Sequence, residues 1–225
     1  MNKNIQYISE SIPCGLLLAL AGGAMDSYSY IYRGKVFANA QTGNFLLLGV
    51  NLASGNYEIS LRYFWPILAF ILGIAISDFF KYKNEKFIKV HWKQLALILE
   101  ALMLFLVSFI PANYNNIANS LISFSCALQV ESFRMLKGNQ IATTMCVGNI
   151  RSATSLLNDY YHVKDKHLLY SSFVYIAIIL AFVLGAILES FAITYLEKKA
   201  ILISVALLIG VFFMLFKDSE NNTNY

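Results

Sequence analysis

Apolar residues in this chain form long runs that are separated by short polar turns. A helix that spans a membrane needs about 20 mostly apolar residues. The runs that meet or nearly meet this length are 12–31, 62–80, 94–110, 117–136, 168–190 and 200–216. Two more polar runs, 37–54 and 141–158, also have helical length. The pattern predicts an all-α fold, a polytopic transmembrane helix bundle.

Composition agrees with this interpretation. Of the 225 residues, 58% are hydrophobic and 13% are charged, whereas a soluble domain is about 25% charged. Because the runs occupy most of the chain, we expect residues 1–225 to form a single integral membrane domain in the lipid bilayer, with a polar tail at 218–225. The first run lacks a small-x-small cleavage site, which favours an uncleaved span over a signal peptide.

Positive charge lies in short segments between the apolar runs. The net charge of +4 comes from Lys and Arg residues in these segments, where they set the orientation of a membrane protein. A nucleic-acid partner is therefore not expected. The densest cluster is 81–93, KYKNEKFIKVHWK, with five lysines. Positively charged loops stay on the cytoplasmic side. We therefore predict a multi-pass protein of the cell inner (plasma) membrane with the loop 81–93 in the cytoplasm.

The second half of the chain resembles the first. Subtracting 105 from each number of the segment 124–149 places it on 19–44 without a gap. This match pairs Asp26 with Glu131, Gly43 with Gly148 and Asn44 with Asn149. The segments 69–79 and 181–191 also align, with five of eleven residues identical. The chain is therefore predicted to contain two structurally similar repeats, about 11–111 and about 117–217.

Two topologies are compatible with this repeat. If the runs 37–54 and 141–158 span the membrane, there are eight spans and the halves are parallel. If these runs are short, re-entrant or buried, six spans remain and the halves are inverted. Counting positive charges slightly favours eight spans. The polar residues of 141–158 indicate that this run does not face lipid in either arrangement.

The predicted functional centre is the stretch 22–44. Its acid, Asp26, falls within the first apolar run and is followed by a polar patch. Ionisable and amide groups are costly in hydrocarbon and usually face a protein interior or a water-filled cavity. The candidate substrate-binding residues of both halves are Asp26, Asn39, Gln41, Thr42, Gly43, Asn44, Glu131, Thr144, Gly148, Asn149 and Arg151.

Each of these features has a functional and a structural interpretation. Paired glycines and asparagines could mark helix interruptions at a transport site, or close helix packing. Asp26 and Glu131 could carry protons or bind a cation, or they could cap helices or neutralise Arg151. Glu100 is a third candidate acid. We expect the remaining acids, Asp78 and Glu189, and the tyrosines at 28, 30 and 32 to lie at the membrane interface.

The polar segments also suggest a family. The first apolar run is rich in glycine and contains an acid, and it is followed by VFANAQTGN at 36–44 and by ATTMCVGN at 142–149. With these features the chain resembles the YoaK-like family of small bacterial inner-membrane proteins, a domain of unknown function. The second copy departs from the pattern, with Val147 in place of the threonine. The resemblance implies a polytopic membrane fold and brings no established substrate, reaction or cofactor.

The function expected from these features is a small-solute transporter or permease, for a polar or anionic solute bound between the two repeats. The alternative is a non-transporting scaffold that binds a protein partner or lipid. An enzyme is not expected, because no nucleophile–base pair, metal-ligand spacing or cofactor motif is visible. The three cysteines are interpreted as buried apolar residues. A homo-oligomer is compatible with the sequence. A transporter should have a cavity that reaches Asp26 and Asn44, whereas a scaffold should satisfy its polar groups internally.

Overall fold

A computed structural model describes residues 8–84 and 92–223. The helices are α1 (Ile12–Ile31), α2 (Gln41–Ala53), α3 (Tyr57–Asn84), α4 (Trp92–Val107), α5 (Asn115–Ser132), α6 (Cys146–Val163), α7 (Lys166–Leu196) and α8 (Leu202–Thr223). Short 3-10 turns occupy Ile8–Glu10, Ala112–Tyr114 and Glu197–Lys199. Two antiparallel strands, β1 (Met135–Leu136) and β2 (Asn139–Gln140), form a small hairpin that the sequence did not predict. Each predicted apolar run contains one helix, so the described chain is nearly all α-helical.

Local sequence explains several helix ends. Ser11 caps α1 by accepting a hydrogen bond from the Cys14 N–H at 3.4 Å. Asp165 caps α7 in the same way through the His167 N–H at 2.9 Å. Lys164 ends α6 in the left-handed conformation, with φ of 60°. Gly55, with φ of 73°, turns the chain between α2 and α3. The α2–α3 and α6–α7 turns are short, so each pair of helices is antiparallel.

The direction of α5 relative to α1 distinguishes the two topologies. The Gln129 side chain donates a hydrogen bond to the Leu18 carbonyl at 3.0 Å, and Asn119 donates to the Arg33 carbonyl at 2.8 Å. Residue numbers fall along α5 as they rise along α1, so the two helices are antiparallel. Eight parallel spans require them to be parallel. The helix directions therefore agree with the inverted arrangement, against the slight preference given by charge counting.

The two ends of the bundle can be identified from hydrogen bonds. The near end, where α1 begins, also holds the start of α4, because Lys93 donates to Ser9 Oγ at 2.9 Å. The far end, where α1 ends, holds the start of α8, because Tyr28 donates to the Lys198 carbonyl at 2.9 Å. The long helix α7 is parallel to α1, as Ser27 and Ser190 share a 2.8 Å hydrogen bond while Gly15 lies beside Ile178.

The short hairpins therefore lie at opposite ends. Because α7 is parallel to α1, the α6–α7 turn is at the near end. Only seven residues, 85–91, separate α3 from α4. They cannot cover the length of α3, about 42 Å at 1.5 Å per residue, so α3 ends near the start of α4. The α2–α3 turn is then at the far end.

The helices pack in pairs that correspond between the two halves. α1 packs along α7, and α3 packs along α5. α2 lies on α3, and α6 lies on α7. α4 packs on α5, α1 packs on α8, and α4 and α8 contact each other. When the first four helices are matched in order to the last four, each of these contacts maps onto another, and the α4–α8 contact maps onto itself.

Glycines allow the long helices to touch. A Cβ at Gly185 in α7 would overlap the Leu20 carbonyl oxygen, and one at Gly23 in α1 would overlap the Phe182 carbonyl oxygen. In the other pair, a Cβ at Gly73 in α3 would lie 2.8 Å from the Phe124 carbonyl oxygen. Small residues let helix backbones approach closely in this way.

Two of the described helices, Tyr57–Phe79 and Lys166–Lys199, are long and apolar enough to cross a membrane. Only 33% and 22% of their most apolar windows are buried in the bundle. The core helix of a soluble protein would instead be mostly buried. These helices therefore present large apolar surfaces to their surroundings, and the apolar helix Leu202–Phe216 is shorter.

Two predicted boundaries need correction. The segment 81–93 is not a loop throughout, because α3 continues to Asn84 and α4 begins at Trp92. Its remaining part, 85–91, lies outside the described residues, so its cytoplasmic position stays a prediction. The polar tail at 218–225 is also shorter than expected, because α8 continues to Thr223.

Candidate functional site

The first polar segment turns back into the bundle after α1. Gly34 and Lys35 have φ values of 94° and 63°, which reverse the chain direction. Asn39 then reaches the middle of α1, where its side chain donates to the Gly22 carbonyl at 3.1 Å. The Asn39 N–H donates to Asp26 Oδ1 at 2.7 Å. Consequently α2 begins beside the middle of α1 rather than beyond its end.

The second polar segment reaches the same place. After the β1–β2 hairpin, Thr143 accepts a hydrogen bond from the Gln129 side chain at 2.9 Å. The same Gln129 amide also donates to the Leu18 carbonyl. A Cβ at Gly22 would lie 3.0 Å from Thr144 Cγ2. The starts of α2 and α6 thus meet near the middle of α1.

Equivalent asparagines fasten both helix starts. The Asn44 side chain accepts from the Phe37 N–H at 3.1 Å and donates to the Phe37 carbonyl at 2.7 Å. Asn149 does the same with Ala142, at 3.4 Å and 2.7 Å. Both amides are buried and used within the protein. Asn44 and Asn149 therefore support the helix starts instead of facing a ligand.

A partly open cavity of about 600 Å³ lies where the two helix starts meet. Its walls come from α1, from 37–42 and 144–148, and from Phe70 of α3 and Phe182 of α7. The predicted site residues that line it are Asp26, Asn39, Gln41, Thr42, Thr144 and Gly148. The predicted residues that do not line it are Gly43, Asn44, Glu131, Asn149 and Arg151. The structure thus brings together parts of both predicted segments.

Asp26 is the charged residue of this cavity. Its carboxylate accepts the hydrogen bond from Asn39, and the N–H groups of Ala38 and Ala40 also bond to it. Successive N–H groups of this kind form a concave site for an anion. The side chain remains partly exposed toward the cavity. A carboxylate is therefore held beside the cavity by the backbone, and none of the described residues that line the space is basic.

Glu131 has different surroundings. It is buried and forms an ion pair with Arg134, three residues further along the chain. The predicted partner, Arg151, lies on an exposed part of α6. Arg151 makes no ion pair within 8–84 and 92–223, so the predicted pairing is wrong. The sequence favoured Arg151 because of its place in a polar run, whereas Arg134 follows directly on the end of α5 and is closer to the acid.

Arg33 has a structural role, although the positive charges between the apolar runs were expected to be topology signals. It is fully buried, and its guanidinium donates to the carbonyls of Val107 and Ile110 at 3.0 Å each. Its Nε donates to the Tyr28 hydroxyl at 3.0 Å. Tyr28 is itself fully buried, so its predicted place in an interfacial belt is wrong. The sequence signal for a buried arginine was its position just after Tyr28 and Tyr32. Both tyrosine rings contact the Arg33 guanidinium.

Two further acids are fully buried, Glu100 in α4 and Glu189 in α7. Among the described residues, neither carboxylate has a hydrogen-bond partner. Glu189 thus lies inside the bundle, whereas Asp78 is exposed, and the interfacial position of both acids stays a prediction. No group of three His, Cys, Asp or Glu side chains in the described chain could hold a metal ion.

An α-helical bundle with long, outward-facing apolar helices belongs to the class of helical membrane proteins. The chain belongs to the family described as "Protein of unknown function (DUF1275)", whose family model matches residues 14–214. It is 26% identical over 207 residues to the UPF0700 transmembrane protein YoaK of Bacillus subtilis (strain 168), covering 87% of this chain and 89% of that protein. No solved structure matches the chain. The predicted YoaK-like family and the membrane class are thereby confirmed.

Proposed function

We propose that this protein is a secondary transporter or permease for a small solute, built from two inverted repeats in the cell inner membrane. The cavity beside Asp26 is the proposed solute site. The observation that carries the proposal is the meeting of two interrupted segments, one from each half, at this cavity. Paired helix interruptions near the membrane midplane are typical of transport sites.

The short α2 and the directions of the helices support a six-span topology. α2 has 13 residues, about 20 Å, which is short of the roughly 30 Å hydrocarbon core. Both α2 and α6 start beside the middle of α1 and end at opposite faces. The other six helices then cross the bilayer, and the residues 85–91 lie in the cytoplasm.

Two observations support the repeat. The packing contacts of the first four helices map onto those of the last four. The Asn44–Phe37 and Asn149–Ala142 hydrogen bonds are separated by the same offset of 105 that aligned the sequences. Inverted repeats allow alternating access, because each half can adopt the conformation of the other. The present cavity then represents one of two access states.

One observation favours the alternative, a scaffold that binds a partner. The surface of α6 exposes a set of polar residues, Arg151, Thr154, Ser155 and Asn158. Polar side chains do not face lipid without cost. In the scaffold interpretation a partner protein covers this surface, and in the transporter interpretation it borders water. The internally bonded Asn44 is also a property expected of a scaffold.

The test is a ligand screen followed by flux. Purified protein and the Asp26→Asn variant are screened against a metabolite library by thermal shift at two pH values. We expect a ligand that stabilises the wild type more than the variant and that exchanges across proteoliposomes containing the wild type. A ligand that stabilises both proteins equally would place Asp26 outside the site. Binding without any flux would instead favour the scaffold.

A further inference from the structure

Four of the described aromatic residues line the cavity. Phe70 and Phe182 face it from α3 and α7, and Tyr30 and Phe37 line it together. The Tyr30 and Phe37 rings are stacked, with centroids 4.9 Å apart. The faces of aromatic rings attract cations, most strongly where water is excluded. The wall is therefore suited to a positive charge attached to an apolar body.

The charges around the cavity point the same way. Among the described residues that line it, Asp26 is charged, and there is no Lys, Arg or His. Lys35 lies beside this wall, with its ammonium 4.5 Å from the Tyr30 ring centroid. This contact shows that the Tyr30 ring already accommodates an ammonium group. Lys35 itself is not part of the lining.

An anionic ligand fits these surroundings poorly. The starts of α2 and α6 carry partial positive charge, but the N–H groups just before α2 already bind the Asp26 carboxylate. The Gln41 amide is likewise engaged, donating to the Ala38 carbonyl at 2.8 Å. An entering anion would meet the Asp26 charge without a basic side chain to compensate it.

In the described part of the chain, two polar groups at the cavity remain for a ligand, the Asn39 amide oxygen and the Thr144 hydroxyl. The Thr144 hydroxyl is buried at the cavity and has no hydrogen-bond partner among the described residues. Buried hydroxyls are normally paired. Thr144 and Asp26 line the same cavity, so a ligand with a single polar head could contact the Thr144 hydroxyl and the Asp26 carboxylate. The volume of about 600 Å³ is within the usual range for small-molecule sites.

We propose that the cavity binds a monovalent organic cation, an ammonium group carried on an apolar or aromatic body. The ammonium lies against the Asp26 carboxylate and the rings of Phe70 and Phe182. This proposal names the substrate class of the proposed transporter. The claim that the cation is transported rests on the proposed function, whereas the claim that it binds does not. It also replaces the anionic solute that the helix starts alone suggested.

The experiment compares three probes that share one aromatic body. Benzyltrimethylammonium, benzyl alcohol and benzenesulfonate are titrated into the purified full-length protein by calorimetry. We expect the cation to bind at least about tenfold more tightly than the neutral and anionic probes. Preference for benzenesulfonate, or no binding of the cation, would overturn the proposal.

Variants locate the binding. Asp26→Asn should weaken cation binding by about tenfold or more, and Phe182→Leu by roughly 3- to 30-fold. The matched control is Phe173→Leu, which alters an exposed phenylalanine of the same helix that does not line the cavity. If Asp26→Asn does not fold, the Phe182 and Phe173 variants still decide the question. Equal affinity in both phenylalanine variants and the wild type would refute the site.

A flux assay separates the two proposals. Cation binding without uptake into proteoliposomes would contradict transport and leave the cation site standing. Uptake of another solute that benzyltrimethylammonium does not inhibit would contradict the cation site and leave transport standing.

Discussion

The two polar segments share a backbone plan but differ in the environment of their acids. Both return to the middle of α1, and both are fastened by an asparagine. In the first segment, backbone N–H groups hold Asp26 beside the cavity. In the second, Arg134 at the surface pairs with Glu131 away from it. The comparison indicates that the fold requires the helix starts in both halves, whereas, among the described residues that line the cavity, the charge comes from the first half.

The anchoring of the two turns differs as well. Arg33 ties the first turn to the α4–α5 connection through buried hydrogen bonds. The second turn is the β1–β2 hairpin, whose Lys137 N–H donates to the Glu10 carbonyl at 3.0 Å. Loss of the buried Arg33 guanidinium should cost more stability than loss of the exposed hairpin contact, because water does not readily replace the hydrogen bonds to its carbonyl partners.

The largest predicted effect is the loss of Arg33. Arg33→Met removes the hydrogen bonds that the guanidinium donates to the Val107 and Ile110 carbonyls, so we expect destabilisation of about 3 kcal/mol or more. Arg151→Leu is the matched control, because Arg151 is exposed and unpaired in the described structure. It should change stability by less than about 0.5 kcal/mol. Thermal unfolding in detergent measures both, and equal effects would contradict the buried role of Arg33.

Close helix packing gives the next largest effect. Gly185→Ala should destabilise the protein by about 2–3 kcal/mol, because the new Cβ overlaps the Leu20 backbone. Gly73→Ala should do the same at the α3–α5 contact. Gly210→Ala has nothing within 4 Å of its Cβ, so it should be neutral or slightly stabilising. Equal melting temperatures for Gly185→Ala and Gly210→Ala would refute the close contact.

The asparagines should have a smaller effect on stability. Asn44→Ala loses three hydrogen bonds and Asn149→Ala loses two, and each should cost about 1–2 kcal/mol. We expect Asn44→Ala to cost more, since its contacts are shorter and it is fully buried. Chemical denaturation checks the order. If Asn44→Ala kept full stability but lost solute binding, the amide would be a ligand contact after all.

The acids give the smallest effect on this scale and the most specific one. Asp26→Asn should weaken cation binding about tenfold, or about 1.4 kcal/mol, because Asp26 lines the cavity. Glu131→Gln should leave affinity within about twofold, since its carboxylate lies away from that space. Calorimetry with benzyltrimethylammonium compares the two. A loss of equal size in both variants would contradict the difference between the two halves.

The sequence predicted the positions of the helices well, because long apolar runs leave few alternatives in a chain of this composition. It also predicted that the segments around Gly43 and Gly148 would meet. It missed the roles of Arg33 and Tyr28, since their partners, Val107 and Lys198, are distant along the chain. Charge counting treated Arg33 as an exposed charge although it is buried, so its slight preference for eight spans loses one of its supports.

The candidate site was predictable only in part for the same reason. A polar residue in an apolar run indicates that its side chain does not face lipid. It does not indicate whether that side chain bonds to a ligand or to the backbone. Asn44 and Asn149 proved to bond the backbone. The aromatic wall was not predicted, because Phe70 and Phe182 come from helices far from the polar segments in the sequence.

The central claim is that α2 and α6 start inside the bundle and end at opposite membrane faces. Single cysteines at Asn56 and Val163 test it, since both positions are exposed and follow or end these helices. The native residues Cys14, Cys126 and Cys146 are replaced by alanine in this background. We predict that an impermeant maleimide labels Asn56→Cys in intact cells and labels Val163→Cys only after permeabilisation. Labelling of both from the same side would contradict the inverted topology and the site derived from it.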